Sequence, residues 1–284
     1  MTTHAAPTRR RIRWDRVWTV AAIDLRRLFK SRDYWLPMSL LSGVFFVFMP
    51  WVLLSVVTRA QSTPLLDQIG GVLNSMPGAL QENIIGETVA GRASYALAVF
   101  LLAPIAIVVP LTISSAVGAH AIVGERERGT GEFLAHSPLS ENEIYIGKLL
   151  ASLIPGYIAT FGGFTIYSLI VNIKVGPEVG GWFFPTAGWW MLILFVMPPF
   201  LAVALSVILW VSARVKSTVA AQQSATLVSL PIIMASYAVS SGLLINPTVA
   251  ALSIGVVAWI LAFFGLRAGT SALKRERLLG VGID

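Results

Sequence analysis

Five charges fall within nine residues at positions 124–132, in the run Gly124-Glu125-Arg126-Glu127-Arg128-Gly129-Thr130-Gly131-Glu132. Acidic and basic side chains alternate there, so the stretch is water-soluble yet carries little net field. Phe133 and Leu134 follow at once, and Ser137-Pro138 closes the segment. Groups of this kind pair with one another or with a partner's surface; they are not the makings of a catalytic constellation. A short helix ending in Phe133 and Leu134 has a shape that enters a groove on another protein. A solvated connection that touches nothing is the alternative, and charge alone does not separate the two.

The rest of the chain offers little other chemistry. It has no cysteine, which removes thiolate nucleophiles, disulfides and Cys-ligated zinc. Neither HExxH nor GxSxG occurs. Gly147-Lys148 could be mistaken for the end of a phosphate-cradling loop. Asn142 stands where that motif's first glycine belongs, however, and Leu149 follows the lysine, so no nucleotide site is expected. His120 is a lone histidine, read as a satisfied side chain near the end of an apolar run. No catalytic, cofactor-binding or metal-ligating residue is therefore assigned, and an intramembrane enzyme is not the expected reading.

The elements that must carry the charged run are apolar. Hydrophobic residues make up 56% of the 284 and charged residues 12%, against about 25% charged in ordinary soluble domains. Runs free of Asp, Glu, Lys and Arg cover 36–57, 93–123, 149–173 and 179–213, the last giving a helix over 187–212. The final run, 217–266, would be roughly 75 Å long as one helix, against a hydrocarbon core of about 30 Å. Asn246-Pro247 breaks it into 217–244 and 248–267, because proline lacks an amide hydrogen and disfavours helix just before itself. The fold class is thus all-α, a polytopic membrane protein with six transmembrane helices, located multi-pass in the cell membrane.

An even number of spans places both termini on one side. With the N-terminus inside, eighteen of the 21 Lys and Arg residues fall on inner segments, and only Arg59, Arg92 and Lys174 fall outside. The positive-inside rule then makes both termini cytoplasmic and accounts for the net charge of +7. Nucleic-acid binding is not expected, since no basic surface with interleaved aromatics stands apart from the membrane-flanking segments. The domain plan is a basic tail and interfacial helix at 1–35, a six-helix transmembrane domain at 36–268 and a cytoplasmic tail at 269–284. Within the domain lie an outer loop, 58–92, and a cytoplasmic loop, 124–148.

Ahead of the first span, Trp14, Val17, Trp18, Ala21, Leu25 and Leu28 recur at helical spacing, with Arg16, Asp24, Arg26, Arg27 and Lys30 between them. This predicts an amphipathic helix lying in the inner headgroup layer, in contact with membrane lipid. In the outer loop, Leu65, Leu66, Ile69, Val72, Leu73, Met76 and Leu80 also follow helical spacing, interrupted by Gly70-Gly71 and Pro77; a brace over the outer ends of the spans is expected. Prolines 104, 110, 155, 198, 199 and 231 should kink their helices. In the fifth span Ser217, Ala221 and Ala225 form a small-residue face beside Gln222, Gln223 and Ser224, suited to close helix packing or to lining a pathway.

The run 124–148, GERERGTGEFLAHSPLSENEIYIGK, resembles the signature of ABC-2 type transporter permeases. There a charged stretch, Gly-Thr, a glutamate, Ser-Pro and Gly-Lys follow the second span, falling here on Gly129-Thr130, Glu132, Ser137-Pro138 and Gly147-Lys148. The run 216–231, KSTVAAQQSATLVSLP, is similar to the family's fifth span. Gly131 departs from the pattern, which more often has an apolar residue there. The resemblance implies the non-catalytic permease subunit of an ATP-driven exporter, paired with a second permease, identical or paralogous. It also implies a separate ABC ATPase subunit that holds the ATP and Mg, with no cofactor in this chain. In such a transporter Glu125, Arg126, Glu127, Arg128, Gly129, Thr130, Glu132, Phe133 and Leu134 would form the coupling helix that grips the ATPase. The first and fifth spans would then make the dimer contact or pathway, with Ser217, Ala221, Gln222, Gln223, Ser224 and Ala225 at it. An ATPase-independent scaffold or channel shares the same topology and is the alternative.

Overall fold

The computed structural model describes residues 12–59, 84–240 and 247–272, with isolated positions between 60 and 83. The helical reading of the outer loop and both terminal tails lies mostly outside these residues. Among the described residues the fold is helical throughout, with no strand. In chain order the helices are α1 (Trp14–Lys30), α2 (Arg32–Arg59), α3 (Val89–Glu127), α4 (Gly131–Ala135), α5 (Glu141–Val179), α6 (Ala187–Ser212), α7 (Thr218–Ser240) and α8 (Pro247–Ala272). Four of them, α2, α3, α5 and α6, are long and apolar enough to cross a membrane, and α7 and α8 contain shorter apolar stretches. The final apolar run is thus two helices, the second opening on Pro247, where a missing amide hydrogen costs nothing because first-turn amides have no intrahelical partner.

α3 is the centre of the bundle. Of its most apolar stretch 72% is buried, against 28% for α2, because α5, α6 and α7 all pack on it while α8 packs on α6. Small residues allow this. Ala221 and Ala225 of α7 are both 1% exposed, and Ser229 behind them shares a 3.0 Å hydrogen bond with Ser115 of α3. Outward faces are large and apolar, as Leu227 and Met234 on α7 and Trp259, Phe263 and Phe264 on α8 illustrate.

Three prolines leave a common trace. Val44–Phe48, Leu97–Leu101 and Leu192–Val196 are π-helical, and each contains the residue four positions before Pro50, Pro104 or Pro198. A proline ring clashes with that carbonyl and supplies no amide to it, so the backbone widens by one residue instead of breaking. Pro110, Pro155 and Pro231 are absorbed in α-helix without such a segment.

The 39 residues of α5 extend roughly 58 Å, nearly twice the hydrocarbon thickness. This helix begins at Glu141, inside the segment expected to be loop up to 148. The charges of Glu141, Glu143 and Lys148 end the apolar run there but do not end the helix, which starts from a complete capping box. Ser140 Oγ accepts from the Glu143 amide at 3.3 Å, and Glu143 Oε2 accepts from the Ser140 amide at 2.8 Å.

Candidate functional site: the charged elbow between α3 and α5

After a turn at 121–122, α3 ends in the short segment Val123–Glu127. The chain reverses at Gly129, whose φ of +69° lies in the left-handed region that favours glycine. The five-residue α4 follows, then the capped start of α5. The elbow is therefore two short helices on a glycine hinge rather than one.

Its charges divide into those that hold the elbow and those it displays. Glu125 is a holder: its side chain is 6% exposed, and Oε1 lies 2.8 Å from Nζ of Lys148, itself 4% exposed. The same ammonium lies 2.8 Å from Oδ2 of Asp24 on α1. One lysine thus joins α1, α3 and α5 through two carboxylates. The second Glu125 oxygen accepts from the Thr130 hydroxyl, and the Thr130 amide donates to the Glu125 carbonyl at 2.9 Å, closing the hinge. Arg27 and Arg128 approach Glu125 Oε1 at 3.5 and 3.6 Å, leaving the cluster one positive charge in excess. Burying ions without such partners would carry a desolvation penalty of several kcal/mol each.

Arg126 and Glu127 hold the other side. The Arg126 guanidinium donates to the Ser212 carbonyl at 3.3 Å, to Ala213 at 3.5 Å and to Val215, satisfying carbonyls at the end of α6 that have no helical partner. Glu127 Oε1 accepts from the Thr218 amide at 2.8 Å and so caps the start of α7. Ser212 completes the seam, donating to the Ala119 carbonyl at 2.7 Å and accepting from the Val123 amide at 3.3 Å.

α1 is fastened to the same place. Val17, Val20 and Ala21 are buried on α5, where a Cβ on Gly147 would lie 2.6 Å from Val20 Cβ and 3.1 Å from the Val17 carbonyl oxygen. Glu143 accepts from the Arg13 amide at 3.0 Å, and Arg16 donates to the Pro138 carbonyl at 2.9 Å. The apolar stripe expected on α1 is therefore shared. Its Val17 and Ala21 meet α5, whereas Trp14 and Trp18 remain 66% and 57% exposed. On the water side a hydrogen bond from Arg13 holds the Asp15 carboxyl below its ordinary range.

What the elbow displays is α4. Phe133 is 81% exposed, Glu132 beside it is exposed and Leu134 is half-buried. An exposed phenylalanine on a helix of five residues gains nothing from the fold that carries it.

In α7 the expected pathway residues separate. Ala221 and Ala225 are spent on α3, Ser217 Oγ accepts from the Ala220 amide at 3.2 Å, and Ser224 Oγ donates to the Ala220 carbonyl at 2.9 Å. Gln222 is half-buried and Gln223 exposed, on the side of Val219, Leu227 and Leu230. His120 meets Tyr34 edge to face, with ring centroids 6.4 Å apart.

The sequence pattern placed Asp24 and Arg27 only on the polar face of α1 and Lys148 only in the Gly147-Lys148 pair, and it did not single out Glu143. The Ser140-x-x-Glu143 spacing could have revealed the start of α5; nothing local could reveal that Asp24 meets a lysine 124 positions away. A family model described as ABC-2 family transporter protein matches residues 18–251, more than half of the chain. No curated protein matches it.

Proposed function

The chain belongs to the ABC-2 family of transporter proteins, and on that premise we propose that it is the permease subunit of an ATP-driven exporter. The four long apolar helices, together with α7 and α8, cross the membrane, both termini lie in the cytoplasm, and the elbow faces the cytoplasm. A separate ABC ATPase holds ATP and Mg and receives α4; a second permease completes the pathway, meeting this one along the exposed ridge of Val219, Gln223, Leu227 and Leu230. The side chains between the ends of the spans are uncharged, which suits apolar or amphiphilic cargo.

The observation that carries this reading is the contrast within the elbow. Phe133 stands in solvent, while Glu125, Arg126 and Glu127 in the adjoining segment are bonded to α1, α5, α6 and α7. A push on α4 therefore reaches those helices through short, charge-assisted contacts, the arrangement needed if ATP-driven closure selects between two packings of the spans.

The test is copurification from native membrane of the tagged chain, followed by ATPase assay. A stoichiometric P-loop subunit whose hydrolysis responds to the permease is expected. Recovery of the chain without one, with substrate flux intact, would establish the ATPase-independent channel instead.

A further inference from the structure

A cavity of about 510 Å³ lies between α1, the first turn of α2, the inner part of α3 and α5, within the roughly 300–1,000 Å³ typical of small-molecule sites. Its wall has two halves. Leu28, Tyr34, Val117, Ala121 and Ala151 make one side apolar; Asp24, Arg27, Glu125, Arg128 and Lys148 make the other charged.

The charged half carries three cations against two carboxylates. Both carboxylates already take Lys148 at 2.8 Å, and Glu125 also takes the Thr130 hydroxyl. Arg27 and Arg128 reach only the fringe of Glu125, at 3.5 and 3.6 Å, and their side chains stay 58% and 52% exposed. Each guanidinium carries five donors in a planar fork, so most of those donors are left for the cavity. Forks of this kind match tetrahedral oxyanions, which they bind in pairs of parallel hydrogen bonds.

We infer that this cavity binds a phosphate-bearing anion clamped between Arg27 and Arg128. The apolar half favours the headgroup of an anionic phospholipid, whose glycerol and first methylenes would cover Leu28, Tyr34 and Val117; free phosphate shares the charge chemistry but leaves that half empty. Because Arg27 belongs to α1 and Arg128 to the elbow hinge, an occupant ties the two together. The site goes beyond the transport reading and needs no ATPase, so its failure and the failure of that reading are distinguishable.

The experiment uses the delipidated full chain in neutral detergent. Phosphatidylglycerol, phosphatidylcholine and inorganic phosphate are titrated separately, with binding read by native mass spectrometry and by thermal unfolding. Phosphatidylglycerol is expected to bind, phosphatidylcholine not, and R27Q/R128Q to weaken phosphatidylglycerol at least about tenfold. R214Q should leave binding unchanged, since that guanidinium stacks on Trp210 at 3.6 Å away from the cavity. Protection by inorganic phosphate alone, lost in R27Q/R128Q, would support the clamp and assign a soluble anion to it. Unchanged phosphatidylglycerol binding in R27Q/R128Q, or an equal loss in R214Q, would overturn the inference. If R27Q/R128Q does not insert, R27K/R128K keeps both charges and removes the forks; undiminished binding there overturns the inference equally.

Discussion

Gly147 of α5 and Val20 of α1 are in such close register that a methyl group on the glycine would lie 2.6 Å from the valine Cβ. This closeness holds α1 against the bundle and brings Asp24 over Lys148. Gly147→Ala is expected to push α1 away, at a cost of about 1–3 kcal/mol for overpacking. The change should appear as faster proteolysis within 12–30 and a lower melting temperature in detergent. Val20→Gly, which removes the Cβ met at 2.6 Å, should slow that proteolysis again in the Gly147→Ala background; if it does not, the contact is not the cause.

Lys148, 4% exposed, lies 2.8 Å from each of two carboxylates. Lys148→Met removes the closest cation from both, leaving Glu125 with Arg27, Arg128 and Thr130, and is expected to destabilise the chain by up to about 3–5 kcal/mol, read as loss of folded protein after extraction. Glu125→Gln should be milder, since Lys148 keeps Asp24. Equal melting temperatures for Lys148→Met and the parent would show that the triad is not structural.

Phe133, at 81% exposure, should be removable without cost to the fold. Phe133→Ala is expected to leave the unfolding free energy within about 0.5 kcal/mol of the parent, as for surface changes generally. Stimulation of the copurified ATPase should be abolished. Preserved stimulation would remove α4 from the proposed contact.

Glu127 caps α7 from another segment. Glu127→Ala should loosen that helix start by about 0.5–2 kcal/mol, whereas Glu127→Gln keeps an oxygen for the Thr218 amide and should be milder. The chain has no cysteine, so Ser217→Cys provides a clean probe: its thiol should react faster with maleimide in the Glu127→Ala background.

The same lack of cysteine permits a topology test. Phe133→Cys and Trp182→Cys replace side chains that are 81% and 70% exposed, on α4 and between α5 and α6. An impermeant maleimide added to intact cells should label Trp182→Cys only, and Phe133→Cys should react after permeabilisation. Labelling of Phe133→Cys in intact cells would sink the proposed orientation of the elbow.

Much of the helical plan was legible because it depends on composition in a local window. Apolar runs longer than a bilayer, Pro247 at a helix start and Trp14 through Leu28 at helical spacing each carry their signal within a few turns. The extent of α5 was less so. Its first two turns are charged, and only the pairing of Ser140 with Glu143 marks them as helix.

What the sequence by itself determined is therefore an all-helical membrane chain with one charged elbow between its apolar runs and neither cysteine nor HExxH nor GxSxG, because hydrophobicity and residue types are properties of the chain alone. Only the tertiary structure decided what each charge does. Glu125, Arg126 and Glu127 look equivalent to Glu132 as letters, yet three are bonded to helices 80 or more positions distant or across the elbow and one stands in water. The π-helical widening before Pro50, Pro104 and Pro198 and the docking of α1 in the notch at Gly147 likewise depend on which neighbours press on the backbone. Sequence spacing records a helix's own faces; the packing of those faces against distant segments determines which of them remain free to meet a partner.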